Sequence, residues 1–329
     1  MDILLERSKS IDFAVKQAKN KARLCLFPNC SNAAIKSHVF QRNGILNQIA
    51  SKGHVYKVEP TNIFERSKKG SLLFKRTGIN DVFTFPGYCK DHDNSVFKKL
   101  ESGNPDFYAV QNQFLLGYRC ICQEIRIKEI SYDCLSGVDV THFHPASISQ
   151  FKLSAAGYLK GIENLLIFKK ILEEGIINSD YSHYSFVTLK IPRVELCISA
   201  PLTISYDRLI HIPRELQLKK LLEVPIETTM FNTFPVKDYS YVIIGFCKNF
   251  ENKWANEMKA LFENSSTKTI LKALSDLVSA RCEFWCMSEK LFLSILKKIR
   301  EEYKVFFMQN VLDHNKDLLV NFNLFQDLR

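Results

Sequence analysis

Two short runs of metal-ligand residues, Cys25-Leu26-Phe27-Pro28-Asn29-Cys30 and Cys89-Lys90-Asp91-His92, organise the N-terminal part of this 329-residue chain. The four residues inside the first run include a proline, and a turn of this length lets two thiolates face one tetrahedral ion. Two residues separate Cys89 from His92, so the first turn of a helix can present both side chains together. Thiolates with one imidazole suit Zn²⁺, whereas Ca²⁺ and Mg²⁺ prefer oxygen ligands. We therefore predict a structural zinc site. The alternative is that these are ordinary thiols, because the chain has ten cysteines.

The composition is that of a folded protein with a basic surplus. A hydrophobic fraction of 46% and an aromatic fraction of 12% are typical of globular chains, and a chain of this length usually forms about two domains. The net charge of +10 favours a polyanion such as nucleic acid as a partner. Because the surplus is spread along the chain, a basic protein that binds no polyanion fits the composition as well.

The sequence carries no sign of export or membrane insertion. Residues 1–20 mix charged side chains with isolated apolar ones, and therefore lack the apolar core of a signal peptide. No apolar run approaches the ~20 residues needed to span a bilayer. We expect a cytoplasmic protein without a membrane partner, in which a reducing environment keeps the cysteines as thiols or metal ligands.

Apolar periodicity predicts long helices on both sides of a break at Ser102-Gly103-Asn104-Pro105. The predicted helices run from Ile3 to Lys21, from Phe107 to Ile130 and from Gln150 to Glu174. The Gly-Asn-Pro sequence cannot continue a helix, so we predict a domain boundary there. It separates a zinc-binding module at residues 1–103 from a second domain at residues 104–329.

The second part of the chain changes from a helical pattern to a β-rich one and back. Four runs rich in β-branched and aromatic residues, bounded by prolines, predict an antiparallel sheet of about four to five strands: 185–191, 194–199, 202–206 and 241–247. From Glu251 onward the spacing is helical again, and Cys282 and Cys286 are predicted at a helix end in the core. The fold class is therefore α+β, with a small zinc-stapled N-terminal module followed by a larger helix-sheet-helix domain.

The segment between the two ligand runs is predicted to contain short strands and one basic stretch. Ile35 to Phe40 is predicted to be extended and carries His38, and His54 to Val58 alternates like a strand. Phe64 to Arg76 gathers basic residues around Gly70, which predicts an exposed loop or hairpin. This stretch is either a solvated turn or an arm that contacts phosphates.

The order of these features, a two-ligand knuckle, a histidine on a strand and a second ligand pair at the start of a helix, resembles the treble-clef arrangement of HNH endonucleases. These are the zinc-stapled branch of the His-Me finger nucleases, and the resemblance covers about Cys25 to Glu101. It implies that His38 is the general base that activates water, that Asp93 is a ligand of a catalytic Mg²⁺ or Mn²⁺, and that the zinc only holds the scaffold. Nucleic acid, DNA more than RNA, is the implied partner.

The sequence departs from the HNH pattern at three points. Asp93 stands where the family usually has His or Asn, and the segment between His38 and Cys89 is longer than a compact ββα unit requires. The middle asparagine of the family has no clear equivalent, and Asn80 is the nearest candidate because it precedes the strand that leads into Cys89. Two functions therefore stay open: a metal-dependent endonuclease that hydrolyses phosphodiesters, or a noncatalytic zinc-stabilised protein that binds nucleic acid or another protein.

Overall fold

A seven-stranded antiparallel sheet lies at the centre of the structure, which is a computed structural model. The structure describes residues 3–61, 64, 66, 70–101, 103–203, 227–250, 253–310 and 319–325. Helices and strands are both abundant in these ranges, so the α+β class predicted from the sequence is confirmed. None of the described helices combines the length and the apolar character needed to cross a bilayer.

The strands form one large sheet and one small sheet. In chain order they are β1 (Lys36–His38), β2 (His54–Pro60), β3 (Leu72–Gly78), β4 (Thr84–Pro86), β5 (Tyr184–Pro192), β6 (Leu196–Leu202), β7 (Thr229–Val236), β8 (Tyr239–Cys247) and β9 (Trp285–Met287). The large sheet has the order β3-β2-β9-β6-β7-β8-β5, and β1 pairs with β4 separately. All of these pairings are antiparallel.

The helices cover the sheet and the N-terminal segment. They are α1 (Ile3–Asn20), α2 (Lys90–Val96), α3 (Lys98–Glu101), α4 (Val110–Ser136), α5 (Pro145–Asn178), α6 (Lys253–Asn264), α7 (Thr267–Ala280), α8 (Glu289–Ser294) and α9 (Lys297–Asn310). The three long helices predicted between Ile3 and Glu174 are confirmed as α1, α4 and α5, and the last two extend beyond the predicted ends.

Each face of the large sheet carries its own hydrophobic core, because successive side chains of a strand point to opposite faces. On β6, Cys197 belongs to the core that contains Phe114 of α4 and Phe168 of α5. Its neighbour Ile198 belongs to the opposite core, with Leu274 of α7 and other residues from the C-terminal helices. The sheet is therefore the middle of three layers.

One helix-end prediction needs correction, and the basic stretch needs a more exact description. Cys286, predicted at a helix end, lies in β9, where it pairs with Cys197 of β6 and Lys57 of β2. A three-residue strand is too short to show a period in the sequence, and its position is set by the strands on either side. Of the stretch Phe64 to Arg76, predicted as an exposed loop or hairpin, residues 72–76 lie in β3, which forms a hairpin with β2, and Lys68 and Lys69 lie outside the described residues.

The sequence predicts no strand over β7, because a proline such as Pro235 is normally found at the boundary of a β-rich run. In the structure Pro235 lies inside β7, opposite Ser240 of β8. The pairing of β7 with β6 ends at Thr233, so the missing N–H of Pro235 removes no bond to β6. Of the predicted strand 202–206, Leu202 ends β6 and residues 204–206 lie outside the described ranges.

The large sheet contains strands from both sides of the predicted boundary between residues 103 and 104. The hairpin β2–β3 joins it through β9, and one hydrophobic core contains both Phe40 and Phe114. The division into two independently folding domains stays a prediction.

Two glycines of α5 allow a matched test of the packing of this helix. A Cβ added at Gly175 would lie 2.7 Å from the carbonyl oxygen of Asp180 and 2.7 Å from the Phe114 ring. A Cβ added at Gly157 would meet no described atom within 4 Å. We expect Gly175→Ala to lower the free energy of unfolding by about 1–3 kcal/mol through overpacking. Gly157→Ala should raise it by up to ~1 kcal/mol, because alanine is the better helix former. Urea unfolding of both variants measures this, and equal effects would contradict the packing.

Candidate metal centre

The first ligand pair lies on a tight turn that is joined to the segment preceding the second pair. Asn29 adopts a left-handed conformation with φ 57°, which brings Cys30 back toward Cys25, and the Cys25 N–H donates to the Asn32 carbonyl at 2.9 Å. The Leu26 N–H donates to the Gly87 carbonyl at 2.9 Å. The backbone therefore holds the knuckle against the chain just before Cys89.

The second ligand pair lies at the N-terminus of α2. Cys89 is the N-cap residue, and the Asp93 N–H donates to the Cys89 carbonyl at 2.9 Å, as in a regular first turn. Side chains three residues apart lie on one side of a helix, so Cys89 and His92 face the same point. The strand β1 and the chain before Cys89 are also bonded, because the Ile35 N–H donates to the Tyr88 carbonyl at 2.7 Å.

Three thiols and one imidazole meet at this point. The ligand atoms of Cys25, Cys30, Cys89 and His92 all lie within 4.8 Å of one another. The two sulfurs of Cys30 and Cys89 are 3.8 Å apart, and the His92 Nδ1 is 3.4 Å from the Cys25 sulfur and 3.3 Å from the Cys89 sulfur. A tetrahedral zinc with Zn–S bonds of ~2.3 Å requires sulfurs about 3.8 Å apart. This group could hold a metal ion such as zinc.

The protonation chemistry of the group also fits a cation. Burial raises the pKa of the Cys25 thiol to about 11, whereas the His92 backbone N–H lowers the pKa of Cys89. A buried thiolate at Cys25 therefore needs a nearby positive charge, which a bound divalent ion supplies. The Phe27 ring stacks on the His92 ring at 4.3 Å and holds the imidazole in place. The residues present thus fit Zn²⁺.

His38, the residue assigned by resemblance as the general base, is the last residue of β1 and pairs with Thr84 of β4. Its Nε2 lies 3.2 Å from the Ile79 carbonyl oxygen, which fixes the orientation of the half-buried ring. Burial lowers the pKa of His38, and the positive charges of Lys36 and Arg42 lower it further, although the bond to Ile79 opposes them. His38 is therefore held mostly in its neutral form.

Asp93, assigned by resemblance as a ligand of a catalytic cation, lies on α2 directly after His92. Its Oδ1 is buried and has no hydrogen-bond partner among the described residues, and the Arg119 Nη2 lies 4.0 Å away. Burial raises the pKa of Asp93, while the charge of Arg119 and the Ser37 hydroxyl lower it. Asn80, the third assigned residue, is exposed, and its Oδ1 accepts from Arg42 at 3.0 Å rather than from His38.

Arg119 was missed in the sequence and is the central buried charge of this region. Its side chain is 2% exposed, its guanidinium donates to Glu101 at 2.5 Å, and its Cζ lies 3.9 Å from the centre of the Phe97 ring. The sequence contains one indication that Arg119 is buried: it interrupts the apolar face of the helix predicted from Phe107 to Ile130. A charge on such a face indicates a buried ion pair.

Comparisons with known proteins identify no relative: no family model, no curated protein and no solved structure matches this chain.

Substitution of one ligand should release the metal. We expect the purified protein to carry about one zinc per chain, and Cys30→Ser to lose it together with much of its thermal stability, because binding of a structural zinc is coupled to folding. Cys134→Ser is the control, since Cys134 is a half-buried free thiol on α4 outside the group. Elemental analysis and melting temperature of both variants are the measurements. A stable wild-type protein without any metal would contradict the zinc site.

Loss of Arg119 should destabilise the packing of α4 against α2 and α3. We expect Arg119→Leu to lower the free energy of unfolding by about 3 kcal/mol, because it leaves the buried Oδ1 of Asp93 without its nearby cation and removes the bond to Glu101. The control is Lys160→Leu, which removes an exposed ion pair with Glu163 and should cost no more than ~0.5 kcal/mol. Denaturant unfolding compares the two, and similar values would show that Arg119 is not a structural tie.

Proposed function

We propose that residues 25–101 form a zinc-stapled treble-clef module of the HNH type that hydrolyses phosphodiester bonds of nucleic acid. The observation that carries this proposal is the order of elements around the ligand group. The strand β1 ends at His38, β1 pairs with β4, and β4 leads directly into α2, which carries the second ligand pair and Asp93. This is the order that the resemblance to HNH endonucleases requires.

The two metals have separate roles in this proposal. Cys25, Cys30, Cys89 and His92 hold the structural zinc, which fastens the knuckle to α2. Asp93 would hold Mg²⁺ or Mn²⁺, for which a carboxylate oxygen is a suitable hard ligand, and its buried Oδ1, which accepts no hydrogen bond from a described residue, supports this role. When bound, such a cation polarises a phosphoryl oxygen and stabilises the charge that develops on the leaving oxygen.

His38 supplies the proton transfer. The bond to the Ile79 carbonyl occupies one ring nitrogen, and the other nitrogen of the neutral imidazole is available to accept a proton. It takes this proton from a water molecule, whose oxygen attacks phosphorus. The P–O bond to the leaving group breaks, and the alkoxide that leaves takes a proton from solvent. His38 is then regenerated by loss of its proton to solvent.

The substrate and location are also proposed. The net charge of +10 and the cations Lys36 and Arg42, which act on His38, support a polyanionic substrate. DNA rather than RNA rests on the resemblance alone. The reduced thiols that the zinc site needs support a cytoplasmic location.

One observation favours the second candidate, a noncatalytic zinc-stabilised scaffold. The Arg119 guanidinium lies 4.0 Å from Asp93 and bonds Glu101, so a fixed cation already compensates the charge that a catalytic metal would neutralise. In this alternative His38 contributes only its bond to Ile79, and the module binds nucleic acid or a protein without cleaving it.

Alanine substitution of His38, with the same substitution of His54 as a control, distinguishes the nuclease from the noncatalytic scaffold. We expect His38→Ala to reduce nicking of supercoiled plasmid in Mg²⁺ or Mn²⁺ by ~10²–10⁴-fold, with zinc content unchanged and a stability loss of about 1 kcal/mol from the lost bond. The control is His54→Ala, because the His54 Nδ1 makes a similar bond to the Lys52 carbonyl at 2.8 Å. Its nicking rate should stay at the wild-type value.

The lowered pKa of His38 predicts the pH dependence of nicking. Because a general base must be neutral, nicking by the wild type should persist below the pH at which an ordinary imidazole is half protonated, and a pH profile of the nicking rate measures this.

Two results would decide for the scaffold. Wild-type protein that carries zinc but does not nick plasmid with Mg²⁺ or Mn²⁺, compared with EDTA, excludes the nuclease. Loss of zinc in His38→Ala would instead make His38 part of the metal site.

A further inference from the structure

An aromatic and basic surface lies at the edge of the large sheet formed by β5. The Lys190 Nζ of β5 lies 5.8 Å from the ring centre of Tyr239 and 5.6 Å from that of Tyr241, both on β8. It also lies 5.6 Å from the ring centre of Tyr108, which precedes α4. Tyr108 is 51% exposed and Tyr239 is 53% exposed. We call Tyr108, Lys190 and Tyr239 the tyrosine surface.

The strand register explains why these side chains meet. Lys190 is directly opposite Tyr241, and Pro192 is directly opposite Tyr239, so the lysine and both tyrosines lie on one face of the β5–β8 pair. The Tyr241 ring packs on Phe107 at 5.0 Å and on Phe234 at 6.0 Å. This packing gives the two exposed tyrosines a fixed base.

Hydrogen bonds of Arg193 connect the β5–β8 edge to the chain segment that follows His38. Arg193, which follows β5, donates to the Lys237 carbonyl in the turn between β7 and β8, and its other guanidinium nitrogen donates to the Gln48 carbonyl at 2.8 Å. Gln48 belongs to the turn that begins at Arg42, and the positive charge of Arg42 lowers the pKa of His38. We call the charged side chains from Lys36 and Arg42 through Arg193 to Lys190 the Arg193 stretch.

The Arg193 stretch is mixed in charge. Four acidic side chains lie along it: Asp81, which pairs with Lys36, Asp106, whose carboxylate accepts from the Tyr108 N–H at 2.9 Å, Glu195, whose carboxylate is 3.9 Å from Arg193, and the exposed Asp238. The cations along it are Lys36, Arg42, Arg193, Lys237 and Lys190, one more than the acids. Half-exposed tyrosines beside such cations have the composition of a surface that stacks bases and contacts phosphates.

We propose that the tyrosine surface binds a single strand of nucleic acid, with bases stacked on Tyr108 and Tyr239 and a phosphate at Lys190. The inference rests on the proposed function for its substrate class, because the strand held there is the one that His38 would cut. It adds a binding determinant outside the zinc module, contributed by the large sheet. A strand bound at this surface extends along the Arg193 stretch toward His38.

Fluorescence anisotropy with two labelled oligonucleotides tests this proposal on the full chain. The first is a 15-nucleotide oligothymidine, and the second is an abasic strand of the same length. We expect Tyr239→Ala and Tyr108→Ala each to weaken binding of oligothymidine by about tenfold, and to leave binding of the abasic strand within twofold. Tyr239→Phe is the matched control, because it keeps the ring and should bind as the wild type does.

Lys190→Ala should weaken binding of both strands, because it removes a phosphate contact. The slope of log Kd against log salt concentration should fall by about 0.7.

The outcomes distinguish this proposal from that of catalysis. Wild-type protein that does not bind oligothymidine, or tyrosine variants that bind both strands as well as the wild type, would overturn the tyrosine surface while leaving plasmid nicking as a separate result. Conversely, base-dependent binding by a protein that never nicks plasmid supports the tyrosine surface and excludes the nuclease. Circular dichroism of Tyr108→Ala and Tyr239→Ala checks that a loss of binding does not come from unfolding.

Discussion

The convergence of Cys25, Cys30, Cys89 and His92 is the constraint on which the N-terminal part of the structure depends. The two ligand runs are far apart in the chain, and bringing them together costs loop-closure entropy. Three backbone bonds, from Leu26 to Gly87, from Ile35 to Tyr88 and from Gly87 to Ile35, and the β1–β4 pair hold them in register. A metal ion that binds all four ligand atoms would add a favourable term available only in the folded chain.

The segment between the ligand runs is part of the larger architecture. Its hairpin β2–β3 leaves the ligand group and becomes the edge of the seven-stranded sheet through β9. The long spacing between His38 and Cys89, which departs from a compact HNH unit, therefore has a structural reason: it supplies two strands to the central sheet. The chain between the two ligand runs is thus anchored in the sheet through the pairing of β2 with β9.

Buried polar groups join α4 to the same region. Arg119 bonds Glu101 and approaches Asp93, and the Tyr118 hydroxyl lies 3.2 Å from the Leu26 carbonyl of the knuckle and 2.7 Å from Glu173 of α5. Such groups are costly to bury unless each is paired, and for that reason they specify one arrangement of α4, α5 and the knuckle. Asp93 thus lies beside a cation from outside the segment that carries the resemblance, whereas His38 is held by Ile79 within that segment.

Local spacing in the sequence by itself determined the two ligand pairs, the three long N-terminal helices and the α+β class, because each depends on residues close together in the chain. The tertiary structure decided the features that depend on distant partners. The strand β9 exists because β2 and β6 flank it, and Pro235 is accepted in β7 because the pairing with β6 has already ended. Arg119 acquires its acidic partners only when α4 packs on α2 and α3. These outcomes require nonlocal packing and hydrogen bonding, which no period or motif in the sequence records.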